Sequence, residues 1–243
     1  MNRNIKAGQA SCYIFEIGNV FQKKTEFIQE EVLHGAIYGN KKFGKWINSG
    51  KDNDLNYYQA RGKLKEALSS LNIKIDDKPT DSIDFLHPGR TAKLFIEGKD
   101  AGYFGEIHPK LILEKKSLKK VYLFNINVSN LLGASTRKNK WIPIYKQYPI
   151  VPKMERDINF VFSKKFLISE ITSQIRKTGK NLLEDVNLID IFEDTKFGDD
   201  YISYTFRLSY RDKDKTLLDS DITSIHSNII SNIEKYFNTK LRN

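Results

Sequence analysis

Within residues 87–108, His87, Arg90, Glu106 and His108 are the side chains of this chain best suited to acid/base chemistry. Histidine titrates near neutrality, and a neighbouring carboxylate could orient it. Both histidines, however, precede a proline (Pro88, Pro109) in turn-like contexts. A His-Pro pair is more often a satisfied turn residue than a catalyst, so no catalytic residue is expected in this chain. The sequence contains no Gly-rich phosphate loop, His-x-x-x-His zinc spacing or Gly-x-Ser-x-Gly elbow, and no metal site is expected. A second constellation suggests different chemistry. Over 201–211, Tyr201, Ser203, Thr205, Arg207, Ser209 and Arg211 alternate with Ile202, Tyr204, Phe206, Leu208 and Tyr210. Period-2 alternation puts the two sets on opposite faces of a strand. A tyrosine and two arginines among small hydroxyl residues suit an open sheet face that stacks bases and contacts phosphates of single-stranded RNA. A solvated sheet face would show the same alternation.

These residues need elements to position them. Ile158–Phe162 is rich in β-branched and aromatic residues and predicts a strand. A helix should follow, with Ser169 as N-cap, Ile171 and Ile175 on one face and Gly179 as a left-handed C-cap. Strands are predicted over 186–192 and 201–210, joined by the polar turn 193–200. A longer helix is predicted from about Ser220 to Phe237, with Ile222, Ile225, Ile229, Ile233 and Tyr236 on one buried stripe. Lys240–Arg242 would close the chain as a short edge strand. The order βαββαβ predicts a split-βαβ sandwich with two helices on one face of a four-stranded antiparallel sheet.

Several short motifs, in this order, carry a resemblance. Tyr148-Pro149 with Arg156-Asp157, Leu188-Ile189-Asp190-Ile191-Phe192, Phe206 to Arg211 leading into Lys215-Thr216-Leu217, and Leu241-Arg242 resemble the ferredoxin-fold anticodon-binding domain that ends the β subunits of bacterial phenylalanyl-tRNA synthetases. Phe15 to Phe21, Tyr57-Tyr58 with Gly62, His87 to Ala92 and Gly102 to Pro109 resemble the class II synthetase-like, non-catalytic domain before it. The resemblance implies an α+β chain: an antiparallel sheet domain over 1–140, truncated at its N-terminus, then a ferredoxin-like domain over 141–243. It also implies RNA contacts by Arg156, Tyr201, Arg207, Tyr210, Arg211, Lys213, Lys215 and Arg242, with Tyr201 stacking and the basic residues meeting phosphates or base edges. The implied partners are phenylalanine tRNA and a catalytic α subunit in an (αβ)₂ assembly. ATP and magnesium would be used by that assembly, with no cofactor bound by this chain. Lys215 stands where the family has arginine, and Leu218 where it usually has a polar residue, which weakens the case for a bidentate contact there. The family's β subunits are several times longer than 243 residues, so the chain is expected to be a C-terminal fragment or the product of a truncated or misassigned gene start. The competing expectation is a stand-alone ferredoxin-like RNA-binding or regulatory protein; an independent ligase would show ATP-pyrophosphate exchange by itself.

Composition agrees without deciding. With 40% hydrophobic residues, 243 residues suit one large or two ordinary domains. No run of eighteen apolar residues and no charged-then-apolar leader occurs, so neither a membrane span nor secretion is expected. One cysteine, Cys12, offers no disulfide and suits a reducing cytoplasm. The net charge of +10 is unevenly spread: residues 141–243 carry 16 Lys+Arg against 15 Asp+Glu, leaving 24 against 15 in residues 1–140. There the excess sits largely in Lys-rich loops near 40–45, 114–120 and 137–140. Only 9 of the 40 basic residues are arginine, a balance that AT-biased coding explains as well as phosphate binding does, so RNA binding rests on the sheet pattern and the resemblance. In the first half, strands are predicted over 11–21, mostly buried, over 32–38 and over 121–128. A helix should carry Leu64, Leu68 and Leu71 as a core stripe. The segment 98–102 should make a hairpin, Pro109 should open a short helix, and Arg137 to Lys140 with Trp141 and Pro143 should form the linker.

Overall fold

Strand-forming sequence dominates the first half of the chain, and its hydrogen bonds close into one sheet. The computed structural model describes residues 7, 11–23, 27–41, 53–112, 120–137, 142, 145, 147, 149–180 and 182–242. Most of the Lys-rich loops, most of the expected linker and Tyr148 lie outside them. Residues 1–145 and 146–243 form two compact units, unit 1 and unit 2.

Unit 1 contains β1 (Ser11–Lys23), β2 (Phe27–Lys41), β3 (Asn53–Asp54), β4 (Ile75–Pro79), β5 (Leu86–Ile96), β6 (Lys99–Ile107) and β7 (Val121–Asn127), with α1 (Tyr57–Ala67), α2 (Pro109–Ile112) and α3 (Val128–Ser135). The strands run in the order β1-β2-β7-β6-β5-β4, with β3 also on β2, and pair antiparallel. Ile37, Phe104, Tyr122, Phe124 and Ile126 bury one sheet face against Ala60 and Leu64 of α1 and Leu131 and Ala134 of α3. Asn56 starts α1 by a reciprocal cap: its Oδ1 accepts from Gln59 N–H at 2.9 Å and its own N–H donates to Gln59 Oε1 at 3.0 Å. Leu64 and Leu68 are buried as expected, but α1 stops at Ala67, and Ser69–Leu71 form a 3₁₀ turn. The β5–β6 hairpin turns on Glu97-Gly98, both at positive φ, so the turn is shorter than the stretch predicted for it.

Gly102 belongs to β6 rather than to that turn. Its φ is +131°, and a Cβ there would lie 2.0 Å from the Asn125 carbonyl oxygen on β7. This glycine therefore sets how closely β6 and β7 approach.

Unit 2 contains β8 (Met154–Ser163), α4 (Ile168–Gly179), β9 (Leu183–Phe192), β10 (Tyr201–Tyr210) and α5 (Asp219–Phe237). Its sheet order is β8-β10-β9, antiparallel, with both helices packed on one face. The expected fourth strand is a single bridge, Leu241 to Phe160, supported by Arg242 N–H donating to Asn159 C=O at 2.8 Å. It stays short because Leu241 N–H donates to the Glu234 carboxylate on α5 instead of extending a ladder. The order 241-β8-β10-β9 is that of a ferredoxin-like sandwich.

Three local expectations change. Helix α4 starts at Ile168, one residue before Ser169, because Glu170 reaches back to the Leu167 N–H at 3.1 Å and places a carboxylate at the helix N-terminus. Gly179 is the last helical residue and not a left-handed cap; a Cβ there would lie 2.4 Å from Leu183 Cδ2, so the glycine makes room for β9. Tyr236 is exposed, and Phe237, four residues beyond Ile233, completes the α5 stripe against Phe162 and Phe166.

Gly102→Ala should destabilise unit 1 by about 3 kcal/mol in urea unfolding, from backbone strain and carbonyl overlap together. Gly98→Ala, at φ +80° with open space around it, should cost about 1–2 kcal/mol. Equal losses would show that close strand approach is not what requires Gly102.

Candidate nucleic-acid interface

Because α4 and α5 take one face of the unit 2 sheet, every second residue of β8, β10 and β9 faces the other way. In register, those open-face positions are Glu155, Ser209 and Asp185; Asp157, Arg207 and Asn187; Asn159, Thr205 and Asp190; and Val161, Ser203 and Phe192. The middle of this face is wired to itself. Arg207 donates through Nε and Nη2 to both oxygens of Asp157, at 2.9 and 2.8 Å, and these bonds hold the Asp157 carboxyl below its usual range. Asn159 Nδ2 donates to Thr205 Oγ1 at 2.6 Å, while Ser203 Oγ donates to Asn159 Oδ1 at 3.0 Å. Ser209 Oγ donates to Glu155 at 3.3 Å, and a hydrogen bond from Lys153 does most to lower the Glu155 pKa. On β9, Arg176 donates to Asp185 at 2.7 Å and lowers its pKa in the same way.

The sequence reading foresaw tyrosine and arginine among hydroxyls on this face, and missed the carboxylates opposite them. Glu155, Asp157 and Asn159 sit two apart on β8, so pairing β8 against β10 in register would have revealed them. The face is a paired polar surface of donors and acceptors, with no surplus of positive charge at its centre.

The eight residues expected to contact RNA fall into distinct settings. Tyr201 is 47% exposed at one end of β10. Arg207 lies at the centre. Arg156 pairs with Asp219 at the start of α5. Arg211 lies beside β9 and pairs with Glu184 at 3.0 Å. Lys213 is exposed in the β10–α5 connection, and Lys215 there pairs with Asp221 at 3.3 Å. Leu218 gives α5 no capping oxygen, and Asp221 compensates by accepting from the Leu218 N–H at 2.9 Å. Arg242 lies over the rings of Phe192 and Phe197. Tyr210 requires a correction: it is fully buried, its hydroxyl 3.0 Å from His226 Nδ1, because β10 alternation turns it towards the helices.

In unit 1 the acid/base candidates resolve into structural roles. His87 Nδ1 accepts from Gly89 N–H at 3.0 Å and His108 Nδ1 from Lys110 N–H at 3.2 Å, so each ring closes its own turn. Arg90 pairs with the buried Glu106 at 2.7 Å. Among the described residues, no group of three or more His, Cys, Asp or Glu is placed to hold a metal ion. No helix among them is long and apolar enough to cross a membrane.

Unit 1 presents a different surface on β1. The sequence predicted a mostly buried strand, and the strand forms, but it is the terminal one of its sheet. On the face that carries the core, Tyr13, Phe15, Ile17 and Phe21 are exposed, Phe15 at 73% and Phe21 at 68%. On the other face, Ile14 and Val20 border a shallow concavity of about 510 Å³ with His34, Ala36 and Leu123. A strand apolar on both sides has the composition of a buried one, yet nothing among the described residues covers it.

Unit 2 thus carries a sheet with one open polar face, and unit 1 an antiparallel sheet whose terminal strand is apolar and exposed. Comparison with known families makes this specific. Residues 1–128 match the family model of the phenylalanyl tRNA synthetase beta chain CLM domain, and residues 149–242 match that of the ferredoxin-fold anticodon binding domain. The phenylalanine–tRNA ligase beta subunit of Prochlorococcus marinus strain MIT 9312 is 87% identical over all 243 residues, and that of strain CCMP1986 is 65% identical over 241, 99% of this chain. A Synechococcus beta subunit, from strain CC9902, is 40% identical over 241 residues. The chain belongs to the phenylalanine–tRNA ligase beta subunit family. It spans about 30% of the length of these relatives.

Unit 2 also contains one titration near neutral pH. Burial pushes the His226 pKa down, and the positive charge of Arg156 adds to the effect. The unfolded chain then binds the proton more readily, so stability is complete above the unfolded histidine pKa of about 6.5 and is lost as pH falls through the lower folded value. His226 is the sole histidine of residues 146–243, and the carboxyls of Asp157, Asp185 and Glu155 titrate below this window. The melting temperature of unit 2 should fall as pH drops below 6.5, and His226→Gln should remove most of that slope; an unchanged slope in the variant would place the titration elsewhere.

Proposed function

We propose that unit 2 binds the anticodon region of phenylalanine tRNA through the open face of its sheet, and that unit 1 docks against the catalytic α subunit of phenylalanine–tRNA ligase. The observation that carries this is the one-sided helix cover of β8-β10-β9 in a segment matching the anticodon-binding family. The paired rows at the centre of the face suit base edges better than phosphates, since they offer fixed carbonyl, carboxylate and hydroxyl partners without excess charge. Arg156, Lys213 and Lys215 lie at or near the ends of β8 and β10, where a backbone could pass. Anticodon binding here would fix the position of the tRNA while its acceptor end reacts on another part of the enzyme, so this chain would contribute alignment rather than chemistry. ATP and magnesium would then be handled elsewhere in an (αβ)₂ assembly in the cytoplasm. The two faces of β1 would supply apolar area for docking. A stand-alone RNA-binding protein would not need such a strand, which favours the synthetase reading.

Two measurements test the two halves. The chain should prefer phenylalanine tRNA over the same tRNA with its anticodon replaced, at physiological salt, and Arg207→Ala should erase the preference while leaving Asp157 without its partner. Equal binding to both tRNAs, abolished by salt, would reduce the open face to a solvated surface. Separately, Phe15→Glu combined with Ile17→Glu should abolish co-purification with the α subunit without changing tRNA affinity; retained co-purification would move the docking surface away from β1.

A further inference from the structure

One end of the open face differs from its centre. Arg242 emerges beside β8, where its N–H donates to Asn159 C=O, and its guanidinium carbon lies 5.8 Å from the ring centre of Phe192 on β9 and 5.0 Å from that of Phe197 in the β9–β10 connection. Since β10 separates β8 from β9, the guanidinium and the two rings reach towards each other across the face. Ser203, on the row between, is 1% exposed although it points to the open side. The two rings meet edge to face, 6.2 Å apart at 78°, and form two walls of a corner.

Arg242 also differs in charge from the other arginines of this surface. Arg207 and Arg211 pair with Asp157 and Glu184, and Arg156, on the helix side of β8, with Asp219, whereas among the described residues Arg242 has no carboxylate within salt-bridge distance. Among the described residues its positive charge is met only by ring faces, and the residue remains exposed. A planar cation fixed against aromatic walls, with no carboxylate to neutralise it, is suited to stack on a nucleobase. Phe192 is itself 44% exposed, so the corner offers further ring surface.

We infer that Arg242, braced by Phe192 and Phe197, is a nucleobase-stacking platform of unit 2, and that an unpaired base of the bound RNA lies on its guanidinium plane. Neither phenylalanine has been given a part in binding above. The inference rests on the RNA-binding reading of unit 2, and adds a contact whose basis is planarity rather than charge alone.

Arg242→Lys separates the two, because it keeps the charge and removes the plane. The 243-residue chain would be titrated with the anticodon stem-loop of phenylalanine tRNA carrying 2-aminopurine at each loop position in turn. Wild type should quench the fluorescence at one position. Arg242→Lys should weaken binding about 5- to 150-fold, the range for one lost base stack, abolish that quench and leave the salt dependence unchanged. Phe197→Ala, which removes a wall and no charge, should lose part of the same quench. Both variants should melt as wild type does, since the bond from residue 242 to Asn159 is a backbone one. Lysine binding as tightly as arginine, with the quench intact, would overturn the platform and leave RNA binding standing. Failure of wild type to bind any stem-loop would instead overturn the RNA reading itself, and the platform with it.

Discussion

Every residue of β10 serves one of two faces, and unit 2 depends on that division. It is the central strand, with β8 on one side and β9 on the other. Phe206, Leu208 and Tyr210 are fully buried against α4 and α5, while Ser203, Thr205, Arg207 and Ser209 bond to their neighbours on the open side. A slip of one residue would exchange the two sets and place arginine in the core. The bidentate Arg207–Asp157 pair marks the register from the polar side, as the aromatic residues do from the apolar side. Half exposed as it is, that pair adds little to stability. Its value lies in holding a guanidinium and a carboxylate in fixed positions on the open face.

Unit 1 is organised by an incomplete version of the same constraint. Its inner strands have one face on α1 and α3, and their alternation is that of an ordinary half-buried sheet. β1 has apolar residues on both faces and sits at the edge. A 13-residue strand of this kind presents apolar area on two sides and, among the described residues, an unpaired backbone edge on a third. The curated relatives are more than three times as long as this chain, and nothing among the described residues covers that surface.

Much of the ferredoxin-like unit was legible because its elements are short and strictly periodic: the 201–210 strand, the α4 stripe, the α5 stripe except for Tyr236, and the βαββα order follow from spacing alone. What escaped the sequence was relational. The start of α4 was misplaced because Glu170 caps from within the helix, a contact that competes with the more familiar Ser169. Gly179 resembled a left-handed cap, yet its requirement is set by Leu183 across the connection. The acidic rows of the open face, and the Phe192–Phe197–Arg242 corner, join residues from separate strands and become visible only when the strands are placed in register. In unit 1, burial of β1 was misjudged because apolar composition on both faces is that of a covered strand, whereas β1 ends its sheet and stays exposed among the described residues.

The same apolar surface bears on solubility. Phe15, Phe21 and Phe27, the last 79% exposed, lie on one antiparallel ribbon. Chaperones and proteases bind exposed apolar strands of this kind, and like copies can pair along the open edge of β1. Covering such a strand therefore serves solubility as well as recognition.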